Sequence, residues 1–175
     1  MVEYELMQSR PNFEELYIQY SDKIFRFLYL HTQNSFLSED ITSEVFVKAW
    51  KNWKKFKPDF VQAWLYKIAN NALIDHYRSK KNKEKISLED SIDTGKEPSY
   101  DRDLIEEIYK NDEFKKLNKA LNSLPKNLKD AAILRFIEEL PAKETGRILK
   151  ISEVNVRVLQ HRALVKLKEI FKNEK

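Results

Sequence analysis

The stretch WLYKIANNALIDHYRSKK, residues 64–81, reads as a single helix with two faces. Leu65, Ile68, Ala69, Ala72 and His76 recur at the spacing of an apolar stripe that faces a core. The other side offers Tyr66, Lys67, Asn70, Asn71, Tyr77, Arg78 and Lys81. An ordinary solvated basic helix is the plain account of such a face. A surface that stacks bases, hydrogen-bonds their edges and neutralises phosphates needs the rings, amides and cations found interleaved here.

Working outward, Pro58 blocks continuation from upstream, and Asp59 with Gln62 forms an acidic version of the capping box. Before it, DITSEVFVKAWKNWKKF (40–56) is a second amphipathic helix, with Ile41, Val45, Ala49, Trp50 and Trp53 at packing spacing. The charge is blocked along the chain. Residues 1–44 hold 3 basic against 8 acidic side chains (net −5), and 45–85 hold 11 against 3 (net +8). Residues 86–113 hold 3 against 10 (net −7), and 114–175 hold 15 against 7 (net +8). Two basic blocks separated by an acidic one predict two sites of polyanion contact on one chain.

With 42% hydrophobic residues, only two glycines and few strand-like alternations, the 175-residue chain is expected to be all-α. The absence of cysteine excludes disulfides and thiolate metal sites and suits a reducing compartment. The start, MVEYELMQSRPNFEEL, lacks the basic and apolar regions of a signal peptide, and no apolar run approaches the ~18 residues of a membrane span. The expectation is a cytoplasmic protein. Helices are predicted near 12–33, 37–55, 60–82, 104–122, 126–139, 141–149 and 153–172, without internal repeats. Residues 83–103, with Gly95 and Pro98 among Ser, Asp, Glu and Lys, are the good linker candidate. The expected organisation is a helical module over 1–83, a flexible acidic linker over 84–107 and a second helical module over 108–175.

The second module contains LPAKETGRILKISEVNVRVLQHRALVKLKE, residues 140–169. Pro141 can occupy the first position of a short helix. Lys150, Ile151 and Ser152 make a tight turn, and Ser152 is a good N-cap. In the helix that follows, Val156, Leu159, Ala163, Leu167 and Ile170 form the core stripe. Off the stripe lie Glu153, Asn155, Arg157, Val158, His161 and Arg162. This is the layout of a helix-turn-helix, whose second helix offers its N-terminal side chains to the major groove.

These segments resemble a known family. DITSEVFVKAW looks like the polymerase-binding stretch D-L-T-Q-E-V-F-L-K-A-W of the extracytoplasmic-function (ECF) sigma factors, the smallest class of bacterial RNA polymerase sigma subunits. WLYKIANNALIDHYR resembles their promoter-melting stretch W-L-Y-x-I-A-x-N-x-x-x-D-x-x-R. Leu124–Pro125, Leu134–Arg135 and VRVLQHRAL resemble their C-terminal domain. The resemblance covers almost the whole chain, and the three motifs stand in the family's order and spacing.

The resemblance implies an initiation factor that binds core RNA polymerase, directs it to a two-part promoter and captures flipped bases as the duplex opens. Asp40, Glu44, Phe46, Val47 and Trp50 would dock on the coiled coil of the largest subunit. Lys55, Lys57 and Phe60 would line the pocket for an unstacked base of the minus-ten element. Tyr66 and Asn70 would read that element, with Arg78, Lys80 and Lys81 on the adjacent backbone. Ser152, Glu153, Asn155, Arg157, Val158, His161 and Arg162 would face the minus-thirty-five element. The flap of the second-largest subunit and an anti-sigma factor are further implied partners, and the acidic linker would thread toward the RNA exit path.

Three departures stand out: Ser43 for the usual Gln, Gly146 for Ala and Lys150 for Gly. Gly146 costs roughly 1 kcal/mol of helix propensity. Either Lys150 accepts a left-handed backbone or the turn has another geometry.

For an enzyme the sequence offers little. His31, His76 and His161 lack metal-ligand spacing, and His76 reads as a core residue. Glycines only at 95 and 146 exclude a phosphate-cradling loop. Asp101, Asp103, Glu106 and Glu107 lack the glycine turn of a calcium loop. No catalytic residue, metal or cofactor is expected. The alternative is a stand-alone helix-turn-helix regulator with an N-terminal sensor or dimerisation domain. The 40–81 stretch discriminates, since a sensor domain has no reason to carry a base-stacking helix behind a polymerase-docking one. Limited proteolysis should cut first within 83–103 and leave two stable helical fragments. Resistance across that whole segment would indicate one compact domain.

Overall fold

A computed structural model describes residues 12–55, 60–86 and 109–173, the side chains of 83–86 excepted. Every regular element among them is helical, and the chain divides into two compact units, Met1–Leu88 and Glu89–Lys175. Pro58, the Asp59 cap and Lys57 fall outside the described residues, as do residues 87–107 of the expected acidic linker and the start of the helix expected over 104–122. Residues 84–86, assigned to the linker, continue the preceding helix.

The first unit packs α1 (Phe13–Thr32), α2 (Ser35–Asn52) and α3 (Val61–Ile86), with a 3-10 turn at Trp53–Lys55 after α2. Asn12 caps α1 by accepting from Glu14 N–H, and Asn34 caps α2 by accepting from Leu37 N–H at 3.0 Å. Between them Gln33 takes a left-handed backbone (φ 57°), its side-chain amide donating to Leu30 O. Ile24, Phe27 and Leu28 of α1 meet Ile41, Val45 and Ala49 of α2 and Leu65, Ala69 and Ala72 of α3 in the core. Two expectations for this packing change. Trp50 is 63% exposed rather than packed, and His76 is only half-buried.

The second unit runs α4 (Asp112–Asn122), α5 (Lys126–Ala132), a π turn at Ile133–Ile137, α6 (Ala142–Leu149) and α7 (Glu153–Asn173). In the π turn, Glu138 N–H donates to Ile133 O at 3.0 Å. Glu139 then adopts a left-handed backbone, φ 55°. Pro141 sits at the cap of α6 rather than inside it, its carbonyl accepting from Thr145 N–H at 2.9 Å. Val156, Ala163 and Leu167 of α7 are buried, while Leu159 and Ile170 lie at the margin.

The turn between α6 and α7 resolves the question posed by Lys150. That residue is left-handed (φ 58°, ψ 42°), and its N–H donates to Gly146 O. Ile151 N–H donates to the same carbonyl at 3.0 Å, which completes a Schellman-type end. A Cβ on residue 146 would stand 2.7 Å from Ile151 O. Gly146 is thus the gap into which the turn folds, and its low helix propensity is the consequence. Ser152 Oγ accepts from Asn155 N–H at 3.2 Å, the expected cap of α7.

Gly146→Ala should therefore destabilise the second unit by about 1–3 kcal/mol despite the better helix former. Lys150→Gly should stabilise it by about 1 kcal/mol. Trp50, Trp53 and Trp64 all lie in the first unit. Urea unfolding followed by circular dichroism should register both changes, while the tryptophan fluorescence transition stays in place.

Candidate nucleic-acid interface

On α3 the expected reading face is rotated. Tyr66 is 0% exposed, its ring edge-on to Phe27 with centroids 5.4 Å apart, and Asn70 is 8% exposed. Neither side chain lies on an open reading surface. Because α3 packs against both α1 and α2, its buried face is wide and takes in Leu65, Tyr66, Ala69, Asn70, Ala72 and Leu73. A tyrosine ring is apolar enough to fill such a core. The exposed ridge is Lys67, Asn71, Ile74 and Arg78, at i, i+4, i+7 and i+11. The sequence reading places Asn71 on the outer face but gives the reading role to Asn70, although the motif W-L-Y-x-I-A-x-N has its Asn at position 71. Lys80 and Lys81 are exposed beyond it. Arg78 lies 4.0 Å from Asp75, and Tyr77 donates its hydroxyl to His31 O at 3.1 Å, tying α3 to the end of α1. Lys55 and half-exposed Phe60 flank the start of the helix.

On α2, Asp40, Glu44, Val47 and Trp50 share an exposed face, and Ser43 stands among them. Phe46 does not belong to it. It is buried, with the Tyr17 ring 4.9 Å and the Phe13 ring 6.4 Å away, because residue 46 falls on the core side together with Val45 and Ala49. Half-exposed Phe36, absent from the sequence reading, extends the face toward the N-terminus of α2. Phe13 lies edge-on to the Trp50 ring at 4.9 Å and supports it from behind. Glu44 pairs with Lys48 one turn on.

On α7 the expected positions all stand in solvent. Ser152, Glu153, Asn155, Arg157, Val158, His161 and Arg162 are exposed. Arg157 donates to Glu153 at 2.7 Å, which holds the guanidinium along the helix surface. Arg135 fixes the other side of the helix, donating through Nε to Gln160 Oε1 at 2.8 Å and through Nη1 to Leu140 O. His161 and Arg162 also border an open groove lined by Pro125, Leu128 and Val165. Burial pushes the Lys129 ammonium below its ordinary range, against the raising effect of Asp130, and its Nζ donates to Asn122. That cation is committed to packing. Val154, which sequence reasoning left aside, is the most exposed valine of the helix.

Among the described residues no three His, Asp or Glu side chains gather as a metal-ligand set. No helix among them is long and apolar enough to cross a membrane. What they present is an acidic and aromatic face on α2, a cationic and amide ridge on α3, and an exposed first turn on α7.

Two family descriptions match the chain, Sigma-70 region 2 over residues 16–83 and Sigma-70 region 4 over residues 120–169. The ECF RNA polymerase sigma factor SigM of Bacillus subtilis is 30% identical over 167 residues, covering 90% of this chain and 94% of SigM. BldN of Streptomyces coelicolor, another ECF sigma factor, is 30% identical over 155 residues, covering 87% of this chain and 57% of BldN. Among solved structures, the sigma factor RpoE in complex with the anti-sigma factor NepR from Bartonella quintana shares the fold. Its TM-score is 0.74 at 19% identity, covering 93% of this chain and 98% of RpoE. Region 2 fills the module in which a stand-alone regulator would carry a sensor. With α2 and α3 inside region 2 and the helix-turn-helix inside region 4, the chain belongs to the ECF sigma factors, the subunits that direct RNA polymerase to promoters.

Proposed function

We propose that the outer face of α2, carrying Asp40, Glu44, Val47 and Trp50, docks on the coiled coil of the largest polymerase subunit. The first unit then reads and opens the minus-ten element. Lys67 and Asn71 take the reading place first assigned to Tyr66 and Asn70, Lys55, Lys57 and Phe60 receive an unstacked base, and Arg78, Lys80 and Lys81 hold the backbone. The second unit sets α7 into the minus-thirty-five element, with Ser152, Glu153, Asn155, Arg157, Val158, His161 and Arg162 toward the groove, and contacts the flap of the second-largest subunit. In this organisation 1–83 and 108–175 act as separate binding modules, and 84–107 is the acidic connection that runs toward the RNA exit path.

The observation that supports this reading best is the ridge on α3. Lys67, Asn71 and Arg78 are exposed on the side of the helix opposite its packing face, and such a row of cations and an amide suits a nucleic-acid strand. RpoE is captured with an anti-sigma factor, and we extend that kind of partner to this chain. A protein acting on polymerase and promoter works in the cytoplasm, and the catalysis belongs to the polymerase.

Reconstitution with core polymerase on a promoter library tests the assignment. Asn71→Ala should alter base preference in the minus-ten element, with losses of about 1–3 kcal/mol at the contacted base if its amide pairs with the base edge. Arg78→Ala or Lys81→Ala should weaken all promoters alike and lower the slope of log affinity against log salt by about 1. Indistinguishable library profiles for the two classes would overturn the division between reading and holding. Docking has its own measure. Trp50→Ala should cut capture of core polymerase without moving the thermal midpoint, whereas Phe46→Ala should lower stability by about 3–5 kcal/mol.

A further inference from the structure

The outermost line of α7 is apolar. With Val156, Ala163 and Leu167 buried, a helical step of about 100° per residue places Val154, Val158, His161 and Val165 directly opposite the core. Val154 is 69% exposed and Val158 41%. Single exposed valines are ordinary, but an aligned row on the wettest face of an amphipathic helix is not. Local structure gives no reason for it, since a β-branched side chain loses χ1 freedom in a helix. The row is therefore suited to being covered in use.

The neighbouring charges say by what. Arg157, Arg162, Lys166 and Lys168 flank the row, and the nearest acid, Glu153, is already paired to Arg157. An apolar strip inside a cationic border fits the major groove of a duplex, where phosphates line the walls and the C5-methyl of thymine is an apolar group on the floor. Farther along the row, His161 and Val165 also border the groove formed with Pro125 and Leu128, so the open part of the strip is Val154 and Val158. Val154 and Val158 are separated by about 6 Å along the helix axis, close to two base-pair steps of about 3.4 Å.

We propose that Val154, together with Val158, reads thymine methyl groups at two T·A pairs about two steps apart in the upstream promoter element. This rests on the assignment of α7 to that element and adds an apolar contact to the thymine methyl group, which its polar neighbours do not supply. Val154→Ala keeps the helix, because alanine is the better helix former.

The test uses holoenzyme reconstituted from core polymerase and the full chain. It begins on a promoter selected from a randomised library, with each upstream thymine then replaced singly by deoxyuridine, which removes only the methyl group. Two positions about two base pairs apart should each lose about fourfold in initiation, the equivalent of about 0.8 kcal/mol for one buried methyl. Val154→Ala should lose the same amount on the thymine template and nothing further on the deoxyuridine template at its position. Deoxyuridine that is silent at every position, or a selected element without such T·A pairs, overturns the proposal. If scrambling the upstream element still abolishes initiation in that case, the assignment of α7 survives. Scrambling without effect would instead remove the assignment itself. Val154→Ala that weakens thymine and deoxyuridine templates equally would point to a protein partner on this strip and also overturns the proposal.

Discussion

The carbonyl of Ile151 lies where a side chain on residue 146 would begin. That close approach, possible only over a glycine, sets the direction in which the chain leaves α6 and so the direction of α7. The carbonyl of Gly146 in turn accepts from both Lys150 and Ile151, so the turn hangs from one acceptor. Arg135 grips α7 from the opposite side through Gln160. Two clamps, one of backbone and one of side chain, leave the outer side of the first turn of α7 standing clear, with Glu153, Val154 and Asn155 exposed. Local comfort is given up to achieve this. Glu139 and Lys150 are left-handed without being glycine, and the buried hydroxyl of Thr145 has no hydrogen-bond partner. Such conflicts between local preference and fold gather where a surface has to be aimed.

The first unit solves a similar problem by packing. α3 is enclosed by α1 on one side and α2 on the other, and only a narrow ridge remains for anything else. Tyr66 against Phe27 is part of the enclosure, and the Tyr77 hydroxyl on His31 O extends it toward the basic end of the helix. On α2 the division falls between adjacent residues. Val45 and Phe46 go inward while Val47 goes outward, so neighbours in one apolar run do opposite work. In both units a single helix carries the core on one face and the exposed surface on the other, which couples stability to recognition.

Helix positions, the two-unit organisation and the cap at Ser152 were legible in the sequence, because periodicity and capping chemistry are local. The errors have one source. Tyr66 and Asn70 looked outward because they carry polar atoms, yet side-chain type predicts exposure poorly on a helix packed from two sides. Phe46 looked like a docking residue and is buried, while Trp50, placed at packing spacing as well as among the docking residues, keeps only the exposed place. Helical spacing marks the centre of an apolar stripe, but in a run such as Val45–Phe46–Val47 it cannot say where the stripe's edge falls. The role of Gly146 was invisible for another reason. Sequence gives its helix propensity, whereas its use depends on a carbonyl five residues on.

The surfaces are also small, and this bears on how the protein can act. The ridge and end of α3 present a handful of cations, Lys67, Arg78, Lys80 and Lys81, and α7 presents Arg157 and Arg162 with Lys166 beyond. Each phosphate contact contributes a salt-sensitive increment, so a unit with few contacts binds duplex weakly at physiological ionic strength. Joining two such units makes the second binding event intramolecular, with a gain set by the reach of the connection. The connection here is acidic between two basic blocks, so it is repelled by the polyanion that both neighbours attract and does not compete for it. Repulsion from DNA also gives the isolated chain little to gain by lying along a duplex. On the proposed function, specific binding requires both units to be held at the spacing of the two promoter elements, which is a task for the polymerase. Weak separate sites, strong only when an outside scaffold fixes their distance, are what a dissociable promoter-selecting subunit needs.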